Sequence, residues 1–191
     1  PWPVAGRWRA DDSALLAIDM QKDFLDPRGY FASLGESLEH TRRSVAPARD
    51  ALAAARELGL TVGHTREGHR RDPSDLNDCK RLRAARAGAA IGSEGPLGRL
   101  LVRGEAGWDF IDEMQPRSGE PVVDKCGNGA FYATDLEQIL RSRGIRHLLL
   151  LGVTTDVCVS STMREANDRG FDCLLLEDCC GAAQPELHQA V

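Results

Sequence analysis

Three side chains of different chemistry, Asp19, Lys125 and Cys158, each close or follow a short apolar run of the sequence. A cysteine attacks a carbonyl carbon as its thiolate, and a free cysteine is mostly protonated at neutral pH. Asp19 is suited to accept the thiol proton and later return it to a leaving amine, while Lys125 supplies positive charge. Together they predict nucleophilic cleavage of a carbonyl compound.

Each of these residues also has an ordinary structural interpretation. A lone cysteine after a strand is often a small core residue, a strand-end aspartate often forms a turn, and a lysine after a strand is often solvated. The catalytic interpretation depends on all three lying at strand ends, because ligands of an open parallel sheet bind beyond the carboxyl ends of its strands.

The segment that leads into Cys158 is expected to bind negative charge. Cys158 falls in the first turn of a predicted helix, where the helix dipole and free N–H groups favour an anion. The backbone N–H groups of Thr154 and Cys158 are predicted to bind the oxyanion that develops during attack. Loss of one such donor typically costs about 3 kcal/mol of transition-state stabilisation.

Apolar runs and helical patterns alternate along the chain and must position these residues. Strands are predicted at Ala14–Asp19, Leu60–Thr65, Pro121–Asp124, His147–Val153 and Asp172–Glu177. Helices are predicted at Pro47–Leu58, at Thr134–Arg143 with a capping box of Thr134 and Glu137, and at Asp156–Arg169. Strands that are apolar on both faces and alternate with helices are typical of a parallel sheet, so we predict a three-layer α/β/α fold with a Rossmann-like open sheet.

The 191 residues are predicted to form one domain, 1–191. The longest irregular segment, His64–Gly107, is rich in Arg, Gly and Asp and is expected to form a lid or a subunit contact. The chain stops at Val191, inside a helical pattern that begins after Pro185, so we expect that the natural protein continues with a C-terminal segment.

Composition excludes several classes of protein. Hydrophobic residues make up 42% and charged residues 28%, which is typical of a soluble globular protein. The net charge is -5 without a basic stripe, and no apolar run is long enough to cross a bilayer, so neither nucleic acid nor a membrane is an expected partner. The six cysteines fit neither a disulfide framework nor a zinc pair, and residues 1–12 contain no secretory signal. We therefore expect free thiols in the cytoplasm.

Three segments resemble the motifs of the isochorismatase-like cysteine hydrolases. They are Ala17–Phe24 (AIDMQKDF), Val122–Leu136 (VVDKCGNGAFYATDL) and Leu151–Gly170 (LGVTTDVCVSSTMREANDRG), and they occur in the order of the family. The resemblance implies Asp19, Lys125 and Cys158 as a catalytic triad, and a cis peptide bond between Val153 and Thr154. Because members of the family are usually dimers or tetramers, it also implies a homo-oligomer.

Two further segments resemble the biuret hydrolase branch of that family, namely Thr65–Asp72 (TREGHRRD) and Leu174–Ala182 (LLLEDCCGA). They imply a small-molecule substrate, a linear ureide such as biuret or triuret, cleaved at a C–N bond through a thioester intermediate. One position departs from the branch, since Asn128 stands where the branch has a second lysine. The alternative substrate is an N-carbamoyl amino acid or ureidoacrylate.

A metal is not expected. Nicotinamidases of the superfamily carry an aspartate and several histidines near the second strand, where this chain has Glu67 and His69 and no further histidine until His147. One imidazole and one carboxylate fall short of the three protein ligands usual for catalytic zinc, so we predict no metal and no cofactor. Glu67 and His69 either shape the pocket or form a solvated pair in a loop.

Four other residues are candidates for substrate binding, each with a structural alternative. Phe24 and Phe131 flank the motifs and either wall a flat pocket or pack in the core. Asn128 and Thr155 either hydrogen-bond a carbonyl-rich substrate or serve turn geometry. Among the other cysteines, Cys179 and Cys180 are interpreted as packing residues, and Cys126 has no assigned role.

Two other functions remain open from the sequence. Vinyl-ether hydrolysis of the isochorismate type needs an acid and no nucleophilic cysteine, so Cys158 beside Lys125 argues against it. A redox-sensing or binding protein on the same fold would have no need of the intact triad.

Overall fold

Five parallel strands form one sheet in the computed structural model of the chain, which describes residues 2–4 and 6–191. They are β1 (Ser13–Ile18), β2 (Thr61–Glu67), β5 (Val122–Lys125), β6 (His147–Val153) and β7 (Asp172–Gly181), in the spatial order β5-β2-β1-β6-β7. Strands β3 (Glu94–Gly95) and β4 (Gly98–Arg99) pair separately as an antiparallel ribbon. Because β1 is central and the chain departs from it to either side, the crevice beyond the carboxyl end of β1 is the place where ligands are expected.

Eight α-helices surround the sheet within the described ranges. They are α1 (Lys22–Leu25), α2 (Tyr30–Ser33), α3 (Glu39–Arg43), α4 (Val45–Glu57), α5 (Asp78–Arg86), α6 (Leu136–Ser142), α7 (Ser160–Asp168) and α8 (Pro185–Ala190). A π-helical turn, Thr155–Val159, joins β6 to α7, and short 3-10 turns occur at Ala10–Asp12 and Asp112–Met114. Over residues 2–4 and 6–191, every helix is too short or too polar to cross a membrane.

Two apolar clusters lie on opposite faces of the sheet, as the alternation along β1 requires. Leu15 and Ala17 contribute to one cluster, whereas Ala14, Leu16 and Ile18 contribute to the other. All six residues of β1 are buried, which is the pattern of a strand covered by helices on both sides. The predicted three-layer α/β/α fold is confirmed.

Some local predictions are wrong. The capping box does not form, because α6 begins at Leu136 with Asp135 as its N-cap residue, and the Thr134 hydroxyl accepts from the Leu136 N–H at 3.3 Å while it donates to the carbonyl of Ala130 at 2.6 Å. The predicted helix from Asp156 is divided into the π-helical turn and α7. Strand β7 continues four residues beyond Glu177, to Gly181, so Cys179 and Cys180 lie within it, both buried in the core.

Gly152 in β6 lies so close to the backbone of β1 that a side chain does not fit at this position. Its φ is +127°, and a Cβ would collide with the carbonyl oxygen of Ile18 and lie 2.8 Å from the Ile18 nitrogen. We expect Gly152→Ala to lower the free energy of unfolding by about 3 kcal/mol, because the backbone of β1 would have to move.

Urea denaturation at neutral pH measures this effect, with Gly144→Ala as the matched control. Gly144 also has a positive φ, +70°, but nothing lies within 4 Å of the position that a Cβ would take there, so only backbone strain of about 1 kcal/mol is expected. Equal losses in the two variants would contradict the proposed collision.

Candidate active site

The structure brings together the three residues predicted to form the triad. Asp19 directly follows β1, Lys125 is the last residue of β5, and Cys158 lies in the π-helical turn after β6. The Lys125 Nζ atom is 2.8 Å from Asp19 Oδ2 and 3.4 Å from Cys158 Sγ. All three side chains are buried at the carboxyl-end edge of the sheet.

Glu67, the last residue of β2, completes this group. The Cys158 thiol donates to Glu67 Oε2 at 3.0 Å, and Lys125 Nζ lies 3.4 Å from the same oxygen. On the other side, Lys80 of α5 donates to Glu67 Oε1 at 2.6 Å. Glu67 is 6% exposed, so the alternative of a solvated loop residue is wrong. Sequence reasoning missed Lys80 altogether.

The charges of the group balance, with two carboxylates, Asp19 and Glu67, against two ammonium groups, Lys80 and Lys125. Burial alone would lower the pKa of Lys125, but Asp19, Cys158 and Glu67 around it raise that pKa well above its usual value. Burial likewise opposes ionisation of Glu67, and the two lysines overcome it, so the pKa of Glu67 falls well below its usual value. Both groups are therefore charged at neutral pH.

Cys158 is a thiol in this resting arrangement. Burial raises its pKa well above the usual value, although Lys125 acts in the opposite direction. Burial therefore opposes the thiolate that the sequence predicts at the start of the helix, and Lys125 favours it. The proton must leave the sulfur when substrate is attacked, and in the resting arrangement it lies in a hydrogen bond to Glu67.

The peptide bond between Val153 and Thr154 is cis, which confirms what the sequence resemblance implied. The Thr154 carbonyl accepts N–H groups from Val157 and Val159, at 3.2 and 3.1 Å, and these bonds form the π-helical turn that presents Cys158. Thr154 and Cys158 both line the cavity described next. They therefore lie where a bound carbonyl would meet the sulfur.

A cavity of about 270 Å³ opens beside the sulfur of Cys158. Two of the predicted substrate-binding residues, Phe24 and Asn128, line it. The Phe24 ring packs edge-on against Phe31 at 5.3 Å, which makes one wall aromatic. The segment His64–Gly107, predicted to form a lid or a subunit contact, contributes the facing wall, with Lys80, Arg83, Ala84, Ala87, Ile91 and Leu101.

The other two predicted substrate-binding residues lie elsewhere. Phe131 is a core residue that packs against Phe171 with ring centroids 5.8 Å apart, on the opposite face of the sheet from Phe24. The hydroxyl of Thr155 pairs with Nδ1 of His188 at 2.8 Å and lines a separate, smaller cavity. Neither residue lines the cavity beside Cys158.

The donor set does not fit a catalytic metal. Asp19, Glu67 and Cys158 place one ligand atom each within 4.8 Å of one another, but the Lys125 ammonium lies among them and supplies the positive charge. His69 turns its Nδ1 toward Asp75, at 3.2 Å, and its pKa is lowered by burial. The Lys125 ammonium therefore takes the position that a metal ion would need at this centre.

Comparison with known proteins places this site in a family. The model of the isochorismatase domain matches residues 13–191, which include all four members of the buried group. The chain belongs to the isochorismatase family. Ureidoacrylate amidohydrolase RutB of Pantoea ananatis is 32% identical over 196 residues, covering 98% of this chain and 76% of RutB.

Solved structures of the isochorismatase family have the same fold. An isochorismatase family protein from Desulfovibrio vulgaris superposes with a TM-score of 0.78 at 30% identity, covering 94% of this chain and 86% of the other. N-carbamoylsarcosine amidase from Thermoplasma acidophilum superposes with a TM-score of 0.71 at 28% identity, covering 93% and 89%. The predictions of family and of a hydrolase acting on non-peptide C–N bonds are confirmed.

Proposed function

We propose that the protein is a cysteine amidohydrolase that cleaves a C–N bond of a linear ureide carrying a carboxylate, such as an N-carbamoyl amino acid or ureidoacrylate. The observation that carries this proposal is a cavity with the Cys158 thiol and a cationic Arg83 among its lining residues. The similarity to ureidoacrylate amidohydrolase RutB and to N-carbamoylsarcosine amidase supports it.

The proposed reaction is acyl transfer through the sulfur. Cys158 Sγ forms a bond to the carbamoyl carbon, and the N–H groups of Thr154 and Cys158 stabilise the oxyanion. The C–N bond then breaks, the leaving nitrogen takes a proton, and a thioester-type S-carbamoyl intermediate remains. Water adds to that carbonyl and releases the thiol. Lys125, paired with Asp19, keeps the centre positive as negative charge develops.

Arg83 favours a carboxylate on the substrate. The four charges of Asp19, Glu67, Lys80 and Lys125 cancel, so Arg83 is an additional positive charge at the cavity. No carboxylate lies within ion-pair distance of its exposed guanidinium in residues 2–4 and 6–191. Guanidinium binds carboxylate with two parallel hydrogen bonds, so a substrate acid is a suitable partner.

Biuret and triuret are the second candidates. The segments Thr65–Asp72 and Leu174–Ala182 resemble the biuret hydrolase branch, and Asn128, whose amide suits a carbonyl-rich ureide, is among the residues that line the cavity. A neutral ureide would leave Arg83 without an anionic partner. We therefore rank these substrates below the ureido acids.

A substrate panel tests the proposal. Purified protein is offered N-carbamoyl amino acids, ureidoacrylate, biuret, triuret, nicotinamide and isochorismate, and the release of ammonia and pyruvate is measured. We expect the highest kcat/KM for a ureido acid. Faster turnover of biuret would support the second candidate, and pyruvate release without ammonia would contradict amide hydrolysis.

Replacing Arg83 tests the carboxylate contact. We expect Arg83→Gln to raise KM for a ureido acid roughly 10–100-fold with little change in kcat, because one charge-assisted contact is lost before the transition state. The measurement is steady-state kinetics on a ureido acid and on biuret. Arg86→Gln, on the same helix but outside the cavity, is the control. An unchanged KM in Arg83→Gln would exclude this contact.

A further inference from the structure

Asp23, in α1, is a buried carboxylate to which the proposed reaction gives no role. The side chain is 1% exposed, and no cation of residues 2–4 and 6–191 lies within ion-pair distance of it. A buried charge without an ion pair is costly unless hydrogen bonds stabilise it. The hydrogen bonds of Asp23 must therefore stabilise its charge.

The Asp23 carboxylate joins the two walls of the active-site cavity. Its Oδ2 accepts the N–H of Leu101 at 3.0 Å, and its Oδ1 accepts the N–H of Tyr30 at 3.2 Å. Leu101 belongs to the wall that faces the aromatic residues, whereas Tyr30 packs edge-on against Phe24 of the aromatic wall, with ring centroids 6.5 Å apart. Asp23 itself does not line the cavity, so it acts on a substrate only through these two residues.

The backbone around Asp23 is held closely. The N–H of Asp23 donates to the carbonyl of Gly107 at 2.7 Å, and a Cβ at Gly107 would lie 2.5 Å from Asp23 Oδ1. Leu101 has a φ of +52°, a left-handed conformation that a residue other than glycine keeps only when its surroundings hold it. The bond to Asp23 holds its N–H, and the N–H of His69 holds its carbonyl at 2.8 Å.

We propose that Asp23 is a positioning residue that fixes the separation of the two cavity walls, and that protonation of its carboxylate weakens substrate binding. The inference rests on the proposed function, because the substrate is taken to be a ureide that binds between these walls. An ionised carboxylate accepts both N–H groups, and such charge-assisted bonds are roughly twice as strong as neutral ones. A protonated carboxyl presents an O–H group of its own, so at least one of the two bonds weakens.

The surroundings of Asp23 determine the pH at which its charge changes. Burial raises its pKa to about 6, although the two N–H donors act in the opposite direction. Tyr30 from α2 is the titratable group that faces it, and this phenol stays neutral because burial raises its pKa to about 12. Charged side chains on the neighbouring elements have partners of their own, namely Lys22 with Asp112, Arg42 of α3 with the Leu25 carbonyl, and Arg99 with Glu105.

Steady-state kinetics of Asp23→Asn between pH 5 and 7.5 test the proposal. The amide accepts one N–H with its carbonyl, but its NH₂ group faces the other. At pH 7.5 we therefore expect KM for a ureido acid to rise roughly tenfold, while kcat stays within about twofold of wild type. Below pH 6 the wild type weakens the same bonds, so the ratio of the two KM values should fall below about threefold at pH 5. Groups that titrate in both proteins cancel in this ratio.

Asp26→Asn is the matched control. Asp26 directly follows α1, but it pairs with Arg28 at 2.9 Å and lies outside the cavity, so its KM should equal that of wild type at every pH. A wild-type KM in Asp23→Asn at pH 7.5 would overturn the proposal. So would a ratio that stays constant down to pH 5, because purely structural damage does not follow the charge of Asp23.

NMR spectra of the wild type test the contact without a substrate or a variant. The amide protons of Leu101 and Tyr30 should shift with a common midpoint near pH 6, whereas that of Arg103, which donates to the His69 carbonyl at 2.9 Å, should move little. Absence of this titration would overturn the inference even if Asp23→Asn does not fold. Inactivity of the wild type on every ureide would instead overturn the proposed function, and the titration would still support Asp23 as the residue that holds the walls.

Discussion

Replacement of Cys158 by serine is expected to reduce kcat for ureide hydrolysis by roughly 10³-fold or more, because a serine hydroxyl is a far weaker acid than a thiol and a carboxylate is a poor base for it. The side chain is 4% exposed and serine is nearly isosteric, so the fold should persist. Steady-state kinetics and the far-UV circular dichroism spectrum check both statements.

Cys180→Ser is the matched control for this substitution. Cys180 is also a buried cysteine, in β7, but it lies outside the cavity that Cys158 lines. We expect Cys180→Ser to retain wild-type kcat. Turnover by Cys158→Ser at the wild-type rate would show that the nucleophile is wrongly assigned.

Lys125→Met is expected to abolish activity and to lower the free energy of unfolding by about 4 kcal/mol at pH 7. Lys125 is 1% exposed and faces both Asp19 and Glu67, so its removal leaves buried Asp19 without a cationic partner and Glu67 with Lys80 alone. Breaking a buried ion pair in this way costs several kcal/mol. Urea denaturation measures the loss.

The loss in Lys125→Met should depend on pH. Burial already raises the pKa of Asp19, and without the opposing Lys125 ammonium that pKa rises further above its unfolded value, so folding favours the protonated form of Asp19. The variant is then relatively most stable at low pH and loses stability as pH rises through the raised value. We expect the difference from wild type to be smaller at pH 4.5 than at pH 7.

Lys80→Met provides the comparison for that variant. The Lys80 side chain is 18% exposed and contacts Glu67 alone among the carboxylates of the centre, so its loss should be smaller. A difference between Lys125→Met and wild type that stays constant between pH 4.5 and pH 7 would contradict the electrostatic origin of the effect.

The sequence correctly predicted the location of those residues whose position follows from the strand order of the sheet. Asp19, Lys125 and Cys158 lie at the carboxyl ends of parallel strands, and such ends share one edge whatever the connecting loops do. Glu67 was considered as a pocket residue, but its burial in the site depends on how far β2 extends. Strand β2 continues two residues beyond its predicted end at Thr65, so that Glu67 is its last residue.

The residues that were missed or misplaced depend on non-local packing. Lys80 belongs to α5, inside a segment predicted to be irregular, and its contact with Glu67 follows from how that segment folds back on the sheet. Phe131 lies within the motif that carries Lys125, yet it packs on the face of the sheet opposite to Phe24. Thr155 finds its partner, His188, 33 residues further along. Spacing along the chain carries no signal for such contacts.

Helix α5 has a consequence for how the substrate range of such an enzyme changes during evolution. Lys80 and Arg83 are one turn apart on it, and both line the cavity. Substitution of Lys80 would remove the ion pair that Glu67 makes on that side, so selection for an active enzyme is expected to retain Lys80. Arg83 holds no carboxylate of the described chain, so its exchange leaves the buried charges intact. New substrates can therefore be acquired by single mutations at a site that the catalytic centre tolerates.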